Sequence, residues 1–276
     1  MTTELEYEEK RDPAVSTLAY FGKELKLCRD GARMSQQELA EEVPCHHTLI
    51  NKIETAVRIP SLHIAQTCDR VFDTGGTFER MWPIVIKYAF PSWFRPFVDL
   101  EEQASVIRNF ELVVVPGLLQ TEEYARAILS TGRLENLEDV VAARMQRQHI
   151  LHRIHRPRLW VIMEEACLRR PVGGRDVMYR QIQHLIRASD EPRTVIQVVP
   201  CKVAVHAGIA GPFSLLSFED KSPDVLYSDG FPQGHIRALS EDVAIAGWAY
   251  DLLRADALST AESVELMDKI AKELYA

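Results

Sequence analysis

A short stretch in the first quarter of the chain brings together polar side chains at helical spacing. His47, Thr48 and Asn51 lie at i, i+1 and i+4, which places them on one face of a helix. An asparagine amide pairs bidentately with adenine, and a histidine donates to a guanine acceptor, so these residues suit hydrogen bonding to base edges. Lys52 and Arg58 follow closely and carry the positive charge that suits phosphates.

Two further candidates lie beside this helix. His46 precedes it at the N-cap position and is a further candidate for contact with a nucleic acid. Gln36 opens an earlier helix, whose start is marked by a capping box of Ser35 with Glu38 three residues later. Because unpaired N–H groups at a helix N-terminus attract anions, we expect Gln36 to contact a phosphate.

Five short helices are predicted to position these residues. Apolar residues recur at i, i+3, i+7 and i+10 in the first helix, at Leu18, Phe21, Leu25 and Cys28. The second helix ends at Pro44, the third runs from about 46 to 55, and the last two begin near 60 and 77. We predict one helical domain over residues 16–89, preceded by a flexible acidic tail over residues 1–15.

Part of this helical domain resembles the helix-turn-helix of the Xre, or lambda-repressor-like, family. The resemblance lies in Met34–Ala40, Pro44 and His46–Glu54. In that family Ser/Thr-Gln-x-x-Leu-Ala opens the supporting helix, and the recognition helix ends in Ile-Glu. A small residue at Ala40 lets the two helices cross closely, and Ile50 with Ile53 fixes their angle, which leaves the other face of the third helix for the major groove. Pro44 replaces the usual turn glycine, and His46 replaces the usual Ser or Thr cap.

The pattern changes near residue 90 to short apolar runs between helical stretches. Strands are predicted at Glu111–Val115, Leu159–Met163, Thr194–Val199, Phe213–Phe218 and Val225–Tyr227. Helices are predicted at Thr121–Leu129, Leu137–Ile154, Asp176–Ala188, Leu239–Ala257 and Ala261–Leu274. The predicted fold is mainly α with a small sheet: a five-helix domain followed by an α+β domain over residues 90–276.

Three segments of this second domain are similar to signature segments of actinobacterial WhiJ-like regulators: Phe110–Ala125, Arg144–Gln148 and Glu165–Gly174. Those regulators pair an Xre-type helix-turn-helix with a C-terminal domain of unknown function. The resemblance implies a transcription regulator, often encoded beside a small partner protein in an arrangement likened to toxin–antitoxin pairs. From the residues alone, Thr121 caps a helix after a strand exit, which is a structural role or the lining of a pocket.

An arginine-rich segment lies within the second domain. Residues 140–163 contain five arginines and no acidic residue, whereas the whole chain has a net charge of −8. The positive electrostatic field of these arginines favours encounter with an acidic protein surface or with a chain of phosphates. We therefore predict that Arg147, Arg153 and Arg156 bind a partner, with a DNA contact or a solvated helix face as the alternatives.

Composition and motifs exclude several classes of protein. Val203–Phe218, the longest stretch without a charged residue, contains glycines and a proline, so we expect no membrane span, and the acidic first 12 residues are not typical of a signal peptide. We expect a cytoplasmic protein with five reduced cysteines. No nucleophile, base or phosphate-loop constellation indicates an enzyme or a cofactor, and His149, His152 and His155 lack the carboxylates or cysteines of a metal site.

These observations predict a sequence-specific, repressor-like regulator that binds double-stranded DNA as a homodimer, with a C-terminal domain that mediates dimerisation, binding of a small partner protein, or both. One short helix touches few base pairs, and two-fold pairing supplies the remaining affinity. Two alternatives stay open for the second domain: a pocket for a small-molecule effector, or an antitoxin-like surface that sequesters a partner protein.

Overall fold

The computed structural model describes residue 13 and residues 16–132, 136–220 and 222–276, which form two compact units. The first unit contains the described residues up to Pro91 together with Glu138–Gln146, and the second contains the rest. Residues 138–146, placed in the α+β domain by the sequence pattern, therefore pack with the first unit. The predicted acidic tail lies outside the described residues, apart from residue 13.

The described residues up to Pro91 form α1 (Thr17–Gly31), α2 (Gln36–Glu42), α3 (His47–Glu54), α4 (Leu62–Phe72) and α5 (Thr77–Val85), followed by a 3-10 turn at Ile86–Ala89. The capping box predicted at α2 is confirmed. Ser35 Oγ accepts from the Glu38 N–H at 3.2 Å, and Glu38 Oε2 accepts from the Ser35 N–H at 2.7 Å. Ser16 and Ser61 cap α1 and α4 through their side-chain oxygens, without the reciprocal bond of a capping box, so local hydrogen bonds determine where these helices begin.

The core of the first unit forms where α1, α2 and α3 meet. Leu25, Leu39, Ile50 and Ile53 are all fully buried. Gly22 allows the close approach of α1 to α3, because a Cβ atom at this position would overlap the carbonyl oxygens at the end of α3. The apolar residues predicted along one side of α1 and the inward isoleucines predicted on α3 therefore pack in this core.

The rest of the chain contributes seven helices and six strands within the described residues. The helices are α6 (Arg95–Gln103), α7 (Glu122–Leu129), α8 (Leu137–Arg147), α9 (Ala166–Arg169), α10 (Arg175–Ser189), α11 (Ser240–Asp256) and α12 (Thr260–Ile270), which continues as a π-helical turn at Ala271–Tyr275. The strands are β1 (Val106–Glu111), β2 (Arg158–Glu164), β3 (Thr194–Val199), β4 (Phe213–Ser217), β5 (Val225–Ser228) and β6 (His235–Arg237).

The strands form one mixed sheet in the order β3-β2-β1-β4-β5-β6. β1, β2 and β3 are parallel, whereas β4, β5 and β6 each run antiparallel to their neighbours. Val161 and Met163 face a core that includes Met178 of α10 and Met267 of α12. The opposite face carries Ile162 and packs against α11. The predicted fold class, mainly α with a small sheet, is thus confirmed.

Several predicted element boundaries are wrong. The strand predicted at Glu111–Val115 is wrong apart from its first residue, because β1 runs from Val106 to Glu111. Beyond Glu111 the chain leaves the ladder, and the Val115 N–H donates to the Tyr124 hydroxyl at 3.1 Å instead. The helix predicted over Leu137–Ile154 ends at Arg147 and continues as a 3-10 turn. α6, α9 and β6 have no counterpart in the prediction.

Three glutamine amides fix the segment between β1 and α7. They donate to backbone carbonyls at 2.7–2.9 Å: Gln120 to Val115, Gln148 to Gly117 and Gln120, and Gln181 to Leu119. Thr121 caps α7, as predicted. Because these bonds satisfy buried backbone groups, the contacts of this segment support a structural role.

Candidate nucleic-acid interface

α3 divides into a buried side and an exposed side. Ile50 and Ile53 are fully buried. His47, Asn51 and Lys52 are exposed, and no hydrogen bond within the described part of the chain involves the Asn51 side-chain amide. An exposed amide on a firmly packed helix keeps both its donor and its acceptor for an external group.

His46 caps α3 with its own side chain. His46 Nδ1 accepts from the Thr48 N–H at 3.3 Å and lies 2.8 Å from the Thr48 hydroxyl. A nitrogen that accepts from a backbone N–H carries no proton, so the Thr48 hydroxyl donates to it and the ring proton lies on Nε2. The departure from a Ser or Thr cap is therefore compensated, while Thr48 turns its hydroxyl towards His46. The rings of His46 and His47 lie 4.3 Å apart.

Gln36 lies at the start of α2, but its amide is held inside the domain. Gln36 Nε2 donates to Glu54 Oε2 at 2.7 Å. This bond ties the beginning of the supporting helix to the end of α3. We predicted that the amide contacts a phosphate; the geometry commits one of its N–H groups to Glu54 instead.

Glu54 is the centre of an ionic network that sequence reasoning missed. Arg29 donates from Nε to Glu54 Oε1 at 2.6 Å and from Nη2 to Oε2 at 3.1 Å, and its Nη1 donates to the Met34 carbonyl at 2.8 Å. The side chains of Arg29 and Glu54 are 9% and 3% exposed. Hydrogen bonding to Glu54 raises the pKa of Arg29. The network joins α1, the turn before α2, and the end of α3, so it fixes the orientation of α3.

Arg58 follows α3 and has an acidic neighbour within the first unit. Arg58 Nη1 lies 3.9 Å from Asp139 Oδ2 of α8. Burial raises the pKa of Asp139, and the nearby Arg58 opposes that rise. If Arg58 binds a phosphate, as the sequence predicts, the Asp139 carboxylate and the phosphate would compete for it.

Replacing Asp139 with asparagine is expected to strengthen binding to any DNA duplex by about twofold to fivefold, because it removes the competing anion. The gain should be equal on specific and random sequences. Arg58→Ala should lower affinity uniformly and reduce the slope of log affinity against log salt by about one. Titrations at several salt concentrations measure both effects. Glu138→Gln, which removes the same charge one residue away, is the control, and an equal gain in that variant contradicts the assignment.

Three arginines of the arginine-rich segment have carboxylate neighbours that lie outside residues 140–163, so the lack of acidic residues within the segment does not leave their charge unopposed. Their acidic partners come from elsewhere in the second unit. Glu101 accepts two hydrogen bonds from Arg147, Glu102 Oε1 lies 3.8 Å from Arg153 Nη2, and Glu191 Oε2 lies 3.3 Å from Arg156 Nη1.

Arg147 is an internal group of the second unit. Its side chain is 9% exposed, and its guanidinium lies 5.2 Å from the Phe94 ring centre and 5.5 Å from that of Phe97. The carboxylate of Glu101 raises its pKa against the opposing effect of burial. The partner-binding role predicted for Arg147 therefore lacks an accessible side chain, whereas Arg153 and Arg156 are 48% and 26% exposed.

The three histidines considered as metal ligands lie at the surface of the second unit. His149 and His152 lie exposed on the 3-10 turn at Gln148–His152, and His155 follows it. Within the described ranges, no group of three or more histidine, cysteine or acidic residues is arranged to hold a metal ion. The helices in those ranges are all too short or too polar to cross a membrane.

Comparison with known protein families assigns both parts of the chain. A helix-turn-helix domain model matches residues 21–80, which contain α2, α3 and their ionic network. A model of a domain of unknown function, DUF5753, matches residues 94–269. No curated protein and no solved structure matches the chain. The first match identifies a DNA-binding domain of the kind used by regulators, and the second covers more than half of the sequence, so this chain belongs to the DUF5753 family and carries its domain behind a helix-turn-helix.

Proposed function

We propose that the protein is an Xre-type transcription regulator whose α3 enters the major groove and reads a specific base sequence. The division of α3 carries this proposal. Ile50, Ile53 and Glu54 anchor one side of the helix, while Asn51 and His47 are exposed on the other. A rigid helix with exposed amide and imidazole groups is suited to discrimination between bases, because its hydrogen-bonding groups are already oriented.

The surrounding polar groups are assigned to the DNA backbone. Lys52 and Arg58 lie at and beyond the end of α3 and supply positive charge for phosphates. Gln36 serves mainly through its position at the α2 N-terminus, since its amide is bonded to Glu54. His46 retains its Nε2 proton as a donor to the same backbone.

Asn51→Ala and His47→Ala are each expected to weaken binding to the specific site by about 1–3 kcal/mol and to relax the preference at one base position. The reason is that each substitution removes base-edge hydrogen bonds without altering the buried side of α3. Competition titrations with single-base variants of the site measure the change. Gln37→Ala, an exposed residue of α2, is the control. Equal losses on specific and random DNA would remove both residues from base reading.

We infer that the regulator acts as a homodimer and in a repressor-like manner. α3 is only 8 residues long, so its exposed face reaches only a few base pairs. Two copies on a palindromic site double the contacts and fix their spacing. A dimer bound in this way occupies a site near a promoter, and this occupation is the repressor-like action that we infer.

The second unit is proposed to regulate this binding through a partner. Arg153 and Arg156 are exposed enough to meet an acidic protein, each already lying near a carboxylate. A small-molecule effector is the second candidate, because a groove of about 440 Å³ lies between α6 and the β4–β5 connection, lined by Leu100, Gln103, Phe218, Pro223 and Ala238. Capture of the protein encoded by the neighbouring gene would support regulation through a partner protein. A shift of the thermal unfolding temperature on addition of a metabolite would support a small-molecule effector.

A further inference from the structure

Helix α11 is apolar on two opposite sides. Ala246, Tyr250 and Leu253 are buried against the sheet. At 100° per residue, Ile245, Trp248 and Leu252 project from the opposite side, where they are 64%, 67% and 41% exposed. Ala244 and Ala255 are exposed on that same side. The outer face is formed by Ala244, Ile245, Trp248, Leu252 and Ala255, and the charged residues Glu241, Asp251 and Asp256 border it. A contiguous exposed apolar patch rimmed by charged residues marks an interaction site.

Gly247 lies beside Trp248 at the middle of this helix. A Cβ atom at Gly247 would meet no other atom within 4 Å. Glycine weakens a helix interior relative to alanine, and nothing in the packing of this chain requires it here. The backbone at Gly247 is therefore open to the close approach of an external group.

We propose that the outer face of α11 packs against the same face of a second copy of this chain around a two-fold axis near Trp248. This inference rests on the proposed homodimer and names its surface. Trp248 is the central residue of Ser240–Asp256, so a two-fold axis at this point brings the Trp248 ring of each copy over Gly247 of the other. Ala244, Trp248 and Leu252 form an i, i+4, i+8 ridge, which interdigitates with its equivalent at a crossing angle of about −50°.

The size of the face fits a second copy. Its exposed side chains present roughly 400 Å² of apolar surface per copy, estimated from typical side-chain areas. Two copies then bury about 800 Å², and with apolar area near 60% of an interface the total approaches about 1,300 Å², within the range of stable dimers.

The charges at the helix ends favour a crossed rather than an aligned pair. Glu241 and Asp256 lie near opposite ends of α11. In an aligned antiparallel pair, Glu241 of one copy faces Asp256 of the other, which is repulsive. The crossing angle separates the ends and leaves the apolar centre in contact.

Two substitutions test the proposal through the oligomeric state of the full chain, measured by analytical ultracentrifugation. Trp248→Asp removes the central ring, and Gly247→Leu adds bulk where the partner's ring would lie. We expect the wild-type chain to be a dimer and each variant to raise the dimer dissociation constant at least about tenfold, with unchanged helical circular dichroism. Gly247→Leu is decisive, since it enlarges the apolar surface and would increase association if the face were merely adhesive. Ile154→Asp, at a residue 95% exposed elsewhere in the second unit, is the control.

The outcomes separate this inference from the proposed function. Dimeric variants beside a dimeric wild-type chain overturn the α11 interface and leave the homodimeric regulator standing. A wild-type chain that is monomeric both free and on its selected DNA overturns the dimer and this interface together. Monomeric variants that still bind a half-site with wild-type affinity support both claims.

Discussion

Replacing Glu54 with alanine is expected to lower the free energy of unfolding of the first unit by about 3–5 kcal/mol. The substitution leaves the half-exposed Asp30, 2.7 Å from Arg29 Nη1, as the remaining carboxylate beside the buried guanidinium, and it also removes the acceptor of the Gln36 amide. A buried charge that loses its bidentate partner costs more than a lost surface contact. Hydrogen exchange of the α1–α3 amides in the full chain reports the stability of this unit separately from the second.

A surface pair and a double variant act as controls for this result. Glu42→Ala breaks an exposed contact with Arg70 at 3.9 Å and should change stability by less than about 1 kcal/mol. The double variant Arg29→Met with Glu54→Leu removes both charges together and should recover most of the loss. A Glu54→Ala effect as small as that of Glu42→Ala would contradict the structural role of the network.

Replacing Arg147 with serine is expected to destabilise the second unit by a similar amount, about 3–5 kcal/mol. Glu101 is 3% exposed and loses both of its hydrogen bonds to this arginine, while Phe94 and Phe97 lose the guanidinium that lies over their rings. Urea unfolding with hydrogen exchange on β1 and α6 measures the effect.

Arg153→Ser is the matched control, because that side chain is 48% exposed and lies 3.8 Å from its carboxylate. We expect its effect on stability to stay within about 1 kcal/mol. Equal effects of the two variants would contradict the internal role of Arg147. Partner capture is accordingly tested with Arg153 and Arg156 replaced together, so that a loss of binding is not a loss of folding.

Local signals explain the parts of the fold that the sequence predicts well. Each of these signals involves residues only a few positions apart: the Ser35–Glu38 capping box, Pro44, and the spacing of the inward Ile50 and Ile53. Such interactions appear in the sequence as spacing, which is why α1 to α5 were predicted close to their observed positions.

The missed features depend on residues far apart in the chain. Arg29 and Glu54 are separated by 25 positions, and Glu101 and Arg147 by 46. No periodicity links such pairs, so an arginine of this kind looks like a surface charge until the fold is known. The start of β1 was missed for a similar reason, since Asn109 breaks the apolar pattern. Its buried amide donates to Ser214 of β4 and to Glu111.

Selection of bound duplexes from a random DNA pool tests the central claim most directly, with the wild-type chain and Asn51→Ala compared in parallel. The account predicts a two-fold symmetric sequence enriched by the wild-type chain, with half-sites about one helical turn apart, and the loss of preference at one position of each half-site in the variant. Recovery of no sequence preference by the wild-type chain, or of the same preference by both proteins, would contradict base reading by α3.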